Sequence, residues 1–121
     1  MHDLRLLSPL DFELLVRDLL QGEFGILLES FGPGRDSGID FRFARGNDEI
    51  IVQVKHYLDS GPRKLVATAK KELPKVKQLK PTRYIFATSL PLSPNLKSEL
   101  IAALPGVPLH VADIITREDI E

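Results

Sequence analysis

The 121-residue chain contains no cysteine. That excludes a disulfide framework and a thiolate zinc site. Histidine is scarce: His2, His56 and His110 are scattered and form no ligand cluster. Any bound metal would therefore be held by oxygen, which points to magnesium, manganese or calcium. No apolar run approaches the length of a membrane span, so no membrane partner is expected. Met1-His2-Asp3-Leu4-Arg5 lacks the basic start and long apolar core of a secretory signal, so the expected location is cytoplasmic.

Net charge is also nearly absent, at −1, but its distribution is uneven. From Arg63 to Arg83 the basic residues are Arg63, Lys64, Lys70, Lys71, Lys75, Lys77, Lys80 and Arg83, and the one acid is Glu72. A basic stripe on an otherwise acidic domain suits a phosphate backbone. A solvated lysine-rich helix face would look the same. The length is that of one domain, residues 1–121, and can bury a real core.

Ser8-Pro9-Leu10-Asp11 is a capped helix start, and Leu10, Leu14, Leu15, Leu19 and Leu20 follow at helical spacing to about Gln21, with Phe12 and Val16 widening the apolar surface. Ile26 to Phe31 reads as a strand. Gly32 to Gly38 reads as a loop, broken by glycine and proline. Ile39 to Ala44 and Glu49 to Tyr57 alternate as strands on either side of an Arg45–Asp48 turn. Leu65, Val66, Ala69, Leu73 and Val76 mark a second helix, which Pro74 should kink or split. A strand at Tyr84–Thr88, a helix from Ser93-Pro94 to about Leu104, and a last strand at Leu109–Ala112 complete the pattern. This order predicts an α/β sandwich: a mixed sheet with an antiparallel meander, then helical crossovers, flanked by helices. Thr116-Arg117-Glu118-Asp119 starts another capped helix, which suggests the N-terminal part of a longer protein.

The chemistry rests on the register of the turn. A symmetric two- or four-residue loop centred between Gly46 and Asn47 puts Asp40 opposite Gln53 on one face. Directly paired residues have Cβ atoms about 4.5–5.5 Å apart. Lys55, two residues beyond Gln53, points the same way. An acid, an amide and a lysine would then converge beside the glycine-rich loop. Such a set can hold Mg²⁺ or Mn²⁺ through Asp40, Gln53 and the Val54 carbonyl, with Lys55 orienting water or neutralising transition-state charge. His56 should face away from Lys55 as a structural residue.

Gly34-Arg35-Asp36-Ser37-Gly38-Ile39-Asp40, followed by Ile51-Val52-Gln53-Val54-Lys55-His56-Tyr57, resembles the Mrr-like restriction endonucleases of the PD-(D/E)XK superfamily. Phe12-Glu13 matches the F-E typical of the preceding helix. The resemblance implies a restriction-endonuclease-like fold and a metal-dependent endonuclease. In it Asp40 is a metal ligand, Gln53 stands for the usual second acid, and Lys55 is the catalytic lysine. Glu13 would serve as a further acidic ligand or base. A neutral amide brings the metal no charge, which makes Glu13 matter more. Arg35, Lys64, Lys70, Lys71, Lys75 and Lys77 are the candidate DNA contacts. The resemblance further implies DNA as partner, a homodimer or higher oligomer, and a fused regulatory or sensor module. A role as effector of a bacterial restriction or anti-phage protein would follow. The alternatives are a non-catalytic nucleic-acid-binding module, or a protein-interaction module, on the same fold.

Overall fold

A computed structural model describes residues 4–30, 41–45, 47–56 and 61–120. After a 3-10 turn at Leu4–Leu6, helix α1 spans Pro9–Phe24. Strand β1 is Glu29–Ser30, β2 is Phe41–Arg45 and β3 is Asp48–Lys55. Helix α2 spans Pro62–Leu79, β4 Arg83–Thr88 and α3 Pro94–Ala102. A 3-10 turn at Val111–Asp113 leads into β5, Ile114–Ile115, and the short helix α4, Arg117–Ile120.

The five strands lie in the order β1-β2-β3-β4-β5. The first three form an antiparallel meander, and β3, β4 and β5 run parallel. Parallel neighbours need a crossover, which α2 and α3 supply. This is the expected α/β sandwich.

Alternation along β3 and β4 sorts the apolar side chains into two layers. Val52, Val54, Ile85 and Ala87 pack with Phe12, Val16 and Leu20 of α1. Ile51, Tyr84, Phe86 and Ile114 pack with Leu65, Ala69 and Val76 of α2 and Leu100 of α3. Helices therefore cover both faces, and β3 and β4 are buried on each side.

Local chemistry sets the helix ends. Ser8 Oγ accepts from the Asp11 N–H at 3.0 Å and Ser93 Oγ from the Leu96 N–H at 3.2 Å, each just before a proline at the first helical position. Gly25 closes α1 with φ 66°, a left-handed geometry that costs glycine nothing. At α4 the Thr116 N–H donates to Asp119 Oδ2 at 2.9 Å, the reciprocal half of a capping box. A backbone hydrogen bond, and then the Thr116 hydroxyl, hold the Glu118 carboxyl below its ordinary value.

Four local expectations change. The buried stripe of α1 is Phe12, Val16 and Leu20, whereas Leu10 and Leu19 are exposed. The strand expected from Ile26 is described only at Glu29–Ser30. Leu28 gives its N–H to the Gln21 side chain (2.9 Å) instead of a strand, and Phe31 lies outside the described residues. Pro74 does not split α2: it sits on the exposed side of a continuous helix whose buried stripe, Leu65, Ala69 and Val76, extends past it. The last strand is Ile114–Ile115 and not Leu109–Ala112. Val111–Asp113 turns first, and Arg83 Nη2 donates to Asp113 Oδ1 at 2.7 Å, fixing where the chain re-enters the sheet.

Candidate active site

The β2–β3 register is described from Phe41–Val52 to Arg45–Asp48. Phe41 pairs with Val52, Arg42 with Ile51, and the series closes at Arg45 with Asp48, as a two-residue connection requires. This is the register expected from the sequence. Asp40 and Arg35 lie outside the described residues, so the next pair, Asp40 with Gln53, is not described.

Gln53 and Lys55 share the α2 face of β3 with Ile51, whereas Val52 and Val54 point to the α1 face. Of Val54, only the backbone carbonyl could therefore serve as a ligand on the Gln53 side. Gln53 is 3% exposed, and its Oε1 has no hydrogen-bond partner among the described residues. Buried amide oxygens are nearly always satisfied, and this one accepts only. An orphaned acceptor of this kind suits a hard cation, or a water held by one. Within the described residues, no group of three or more histidine or acidic side chains is arranged to hold a metal ion.

Lys55 lies at the C-terminal end of β3, and its Nζ donates to Glu72 Oε1 at 2.7 Å. Both side chains are mostly buried, 19% and 16% exposed. Beside Lys55 on β4 stands the fully buried Thr88, its hydroxyl accepting the Leu90 N–H at 3.2 Å.

Sequence reasoning passed over Glu72. Two signals were available. It is the one acid in the basic stretch, and it falls three residues after Ala69 and four before Val76, on the buried stripe. Glu13 is placed differently. It is half-buried on α1, on the other face of the sheet from Gln53 and Lys55. Its neighbour Phe12 stacks on His56 at 4.7 Å between ring centroids, which brings Glu13 to the end of β3 that carries Lys55. Glu13 would thus approach around the end of the sheet, not across its face.

His56 faces away from Lys55, as expected for a structural residue. Its Nε2 donates to the Leu7 carbonyl at 2.8 Å, and its Nδ1 is hydrogen-bonded to the Ser89 hydroxyl, also at 2.8 Å.

A family model described as a restriction endonuclease, the Mrr catalytic domain, matches residues 4–113. The chain belongs to that family. The Mrr-type domain is also 40% identical over 119 residues to an uncharacterised protein, y4cD, of Sinorhizobium fredii (strain NBRC 101917 / NGR234). That match covers 98% of this chain and 19% of the relative, so the Mrr-type domain spans about a fifth of the relative's length. Family and fold together make it a nuclease domain of restriction-endonuclease type. No described helix of the Mrr-type domain is long and apolar enough to cross a membrane.

The basic residues of α2 divide into two flanks. Lys64, Lys71 and Lys75 are spaced seven and four residues apart, about two turns and one, and line one side of the helix. Lys70 and Lys77 line the other. On that side Lys70 borders a surface hollow with Glu99 of α3, and the Lys77 side chain lies over the turn at Gly106. By strand order, the first flank adjoins the β2–β3 hairpin, where Glu72 meets Lys55.

Proposed function

We propose that the domain is a Mg²⁺- or Mn²⁺-dependent endonuclease that hydrolyses phosphodiester bonds in DNA. In this reading it is the effector of a bacterial restriction or anti-phage protein, working in the cytoplasm. Its activity would be governed by self-association and by a fused regulatory or sensor module. The observation that carries the reading is the donorless, buried oxygen of Gln53 beside Lys55 on β3, in a chain of restriction-endonuclease family.

The residues divide the work by their chemistry. Asp40, Gln53, the Val54 carbonyl and Glu13 would hold the cation. When bound, it supplies Lewis-acid stabilisation and an acidified water. Lys55 has three donors on a compact charge, which suits it to orient the attacking water and to offset charge developing on the phosphoryl oxygens. Gln53 cannot take a proton, so it orients without acting as a base.

The DNA path is proposed along Lys64, Lys71 and Lys75, the flank on the hairpin side, with Arg35 from the glycine-rich loop. Lys70 and Lys77 would contribute only general attraction. A second reading, a non-catalytic nucleic-acid-binding or protein-interaction module on the same fold, draws on the engagement of Lys55 by Glu72.

Plasmid DNA incubated with the protein and Mg²⁺ decides between the two. We expect nicking or linearisation that EDTA abolishes. Lys55→Ala should slow it by about 10²–10³-fold, the scale of losing one electrostatic stabiliser. Cleavage that persists in Lys55→Ala purified in parallel would overturn the catalytic assignment. DNA binding without any cleavage would favour the second reading.

A further inference from the structure

Glu72 occupies a position that ordinary packing does not explain. It is the one acid between Arg63 and Arg83, yet it lies on the buried stripe of α2 and not among the solvated lysines. Its side chain is 16% exposed. Oε1 accepts from Lys55, while Oε2 is buried with no hydrogen-bond partner among the described residues. Gln53 Oε1 on the same face is in the same condition.

A carboxylate oxygen and an amide oxygen are both acceptors, so they cannot satisfy each other. Glu72 Oε2 and Gln53 Oε1 are thus two donorless oxygens on the sheet face that carries Lys55. What they lack is a donor or a second cation. Oxygen donors, one of them charged, match magnesium, manganese or calcium. The placement also answers the charge deficit of the neutral Gln53. Glu13 lies on the far face of the sheet, whereas Glu72 is already on the Gln53–Lys55 face.

Resting on the metal-dependent reading above, we propose that Glu72 is a metal-ligating residue. It would supply, from α2, the negative charge that Gln53 leaves missing. Lys55 and a divalent ion would compete for the same carboxylate. Glu72 would offer an oxygen to a bound divalent ion, and Lys55 would then be free to face the phosphate. One residue would thus serve either the lysine or the metal.

The test uses Mn²⁺ alone, without DNA, followed by the paramagnetic signal of the free ion and by calorimetry. Wild-type protein should bind Mn²⁺, and Glu72→Gln should weaken binding by roughly tenfold or more, the scale seen when groups that tune a metal site are removed. Glu72→Asp should retain part of the affinity. Lys55→Met removes the competing ammonium and should tighten binding at least severalfold. Glu72→Gln that is folded by circular dichroism and binds Mn²⁺ like wild type would overturn the proposal. If Glu72→Gln does not fold, Lys55→Met decides: unchanged or weaker Mn²⁺ binding overturns it. A wild-type protein that cleaves DNA with Mg²⁺ while Glu72→Gln keeps full Mn²⁺ affinity would sink the role of Glu72 alone. A wild-type protein with neither Mn²⁺ binding nor cleavage would sink the metal-dependent reading with it.

Discussion

The two faces of the sheet use polar groups in opposite ways. On the α1 face, the polar group placed among apolar neighbours is His56, and both its ring nitrogens are satisfied, by Leu7 and Ser89. Its ring adds to the core by stacking on Phe12. On the α2 face, Gln53 and Glu72 bury oxygens that lack donors among the described residues. A satisfied buried polar group stabilises, while an orphaned one costs about 1–3 kcal/mol, and a fold retains it when something else depends on it. The α1 face satisfies its buried polar group, whereas the α2 face leaves two buried oxygens without donors among the described residues.

Substitutions can break or sharpen that contrast. The largest expected effect is on the α1 face. Phe12→Ala removes a fully buried ring and its stacking partner, and should cost about 3–5 kcal/mol of stability by denaturant unfolding. His56→Ala strands the Leu7 carbonyl and the Ser89 hydroxyl, and should cost about 2 kcal/mol. A loss well under that would mean that the network is ornamental, and the contrast would weaken.

On the α2 face the readout moves from folding to binding. Lys64→Glu, Lys71→Glu and Lys75→Glu together should weaken DNA binding by more than tenfold and flatten its salt dependence, since each lost phosphate contact removes about 0.9 from the slope. Lys70→Glu with Lys77→Glu should do markedly less. Equal effects per residue on the two flanks, measured by salt-dependent anisotropy, would remove the proposed DNA path. The smallest effect carries the most telling sign. Gln53→Leu keeps the volume and deletes the donorless oxygen, so thermal unfolding should show no loss of stability, or a gain of about 1 kcal/mol, while Mg²⁺-dependent cleavage falls. A clear loss of stability would show that Gln53 is structural.

Much of this arrangement is legible in the residues. The register of the β2–β3 hairpin follows from alternation and turn symmetry, because a one-residue slip would turn every side chain to the wrong face. Ser8 and Ser93 announce their helices for a local reason, a hydroxyl three residues before an orphan N–H. The features that escaped depend on distant partners. Leu109–Ala112 has strand-like composition, but Arg83 anchors Asp113, and the paired residues are Ile114 and Ile115. On α1 the expected apolar surface took in Leu10 and Leu19 together with Phe12, Val16 and Leu20, and packing on the sheet buries Phe12, Val16 and Leu20 while Leu10 and Leu19 stay exposed. The pairing of Glu72 with Lys55 is invisible until α2 is laid on β3, because the two are seventeen residues apart.

The strand order carries a consequence for synthesis. Each strand lies beside the one made just before it, from β1 to β5, and none must be inserted between two others. A chain emerging from the ribosome can therefore extend its sheet one strand at a time, always at the same growing edge. The β2–β3 hairpin, with Gln53 and Lys55 on it, would be in place before α2 arrives with Glu72. In that sequence of events, Lys55 is in the sheet before the carboxylate that pairs with it.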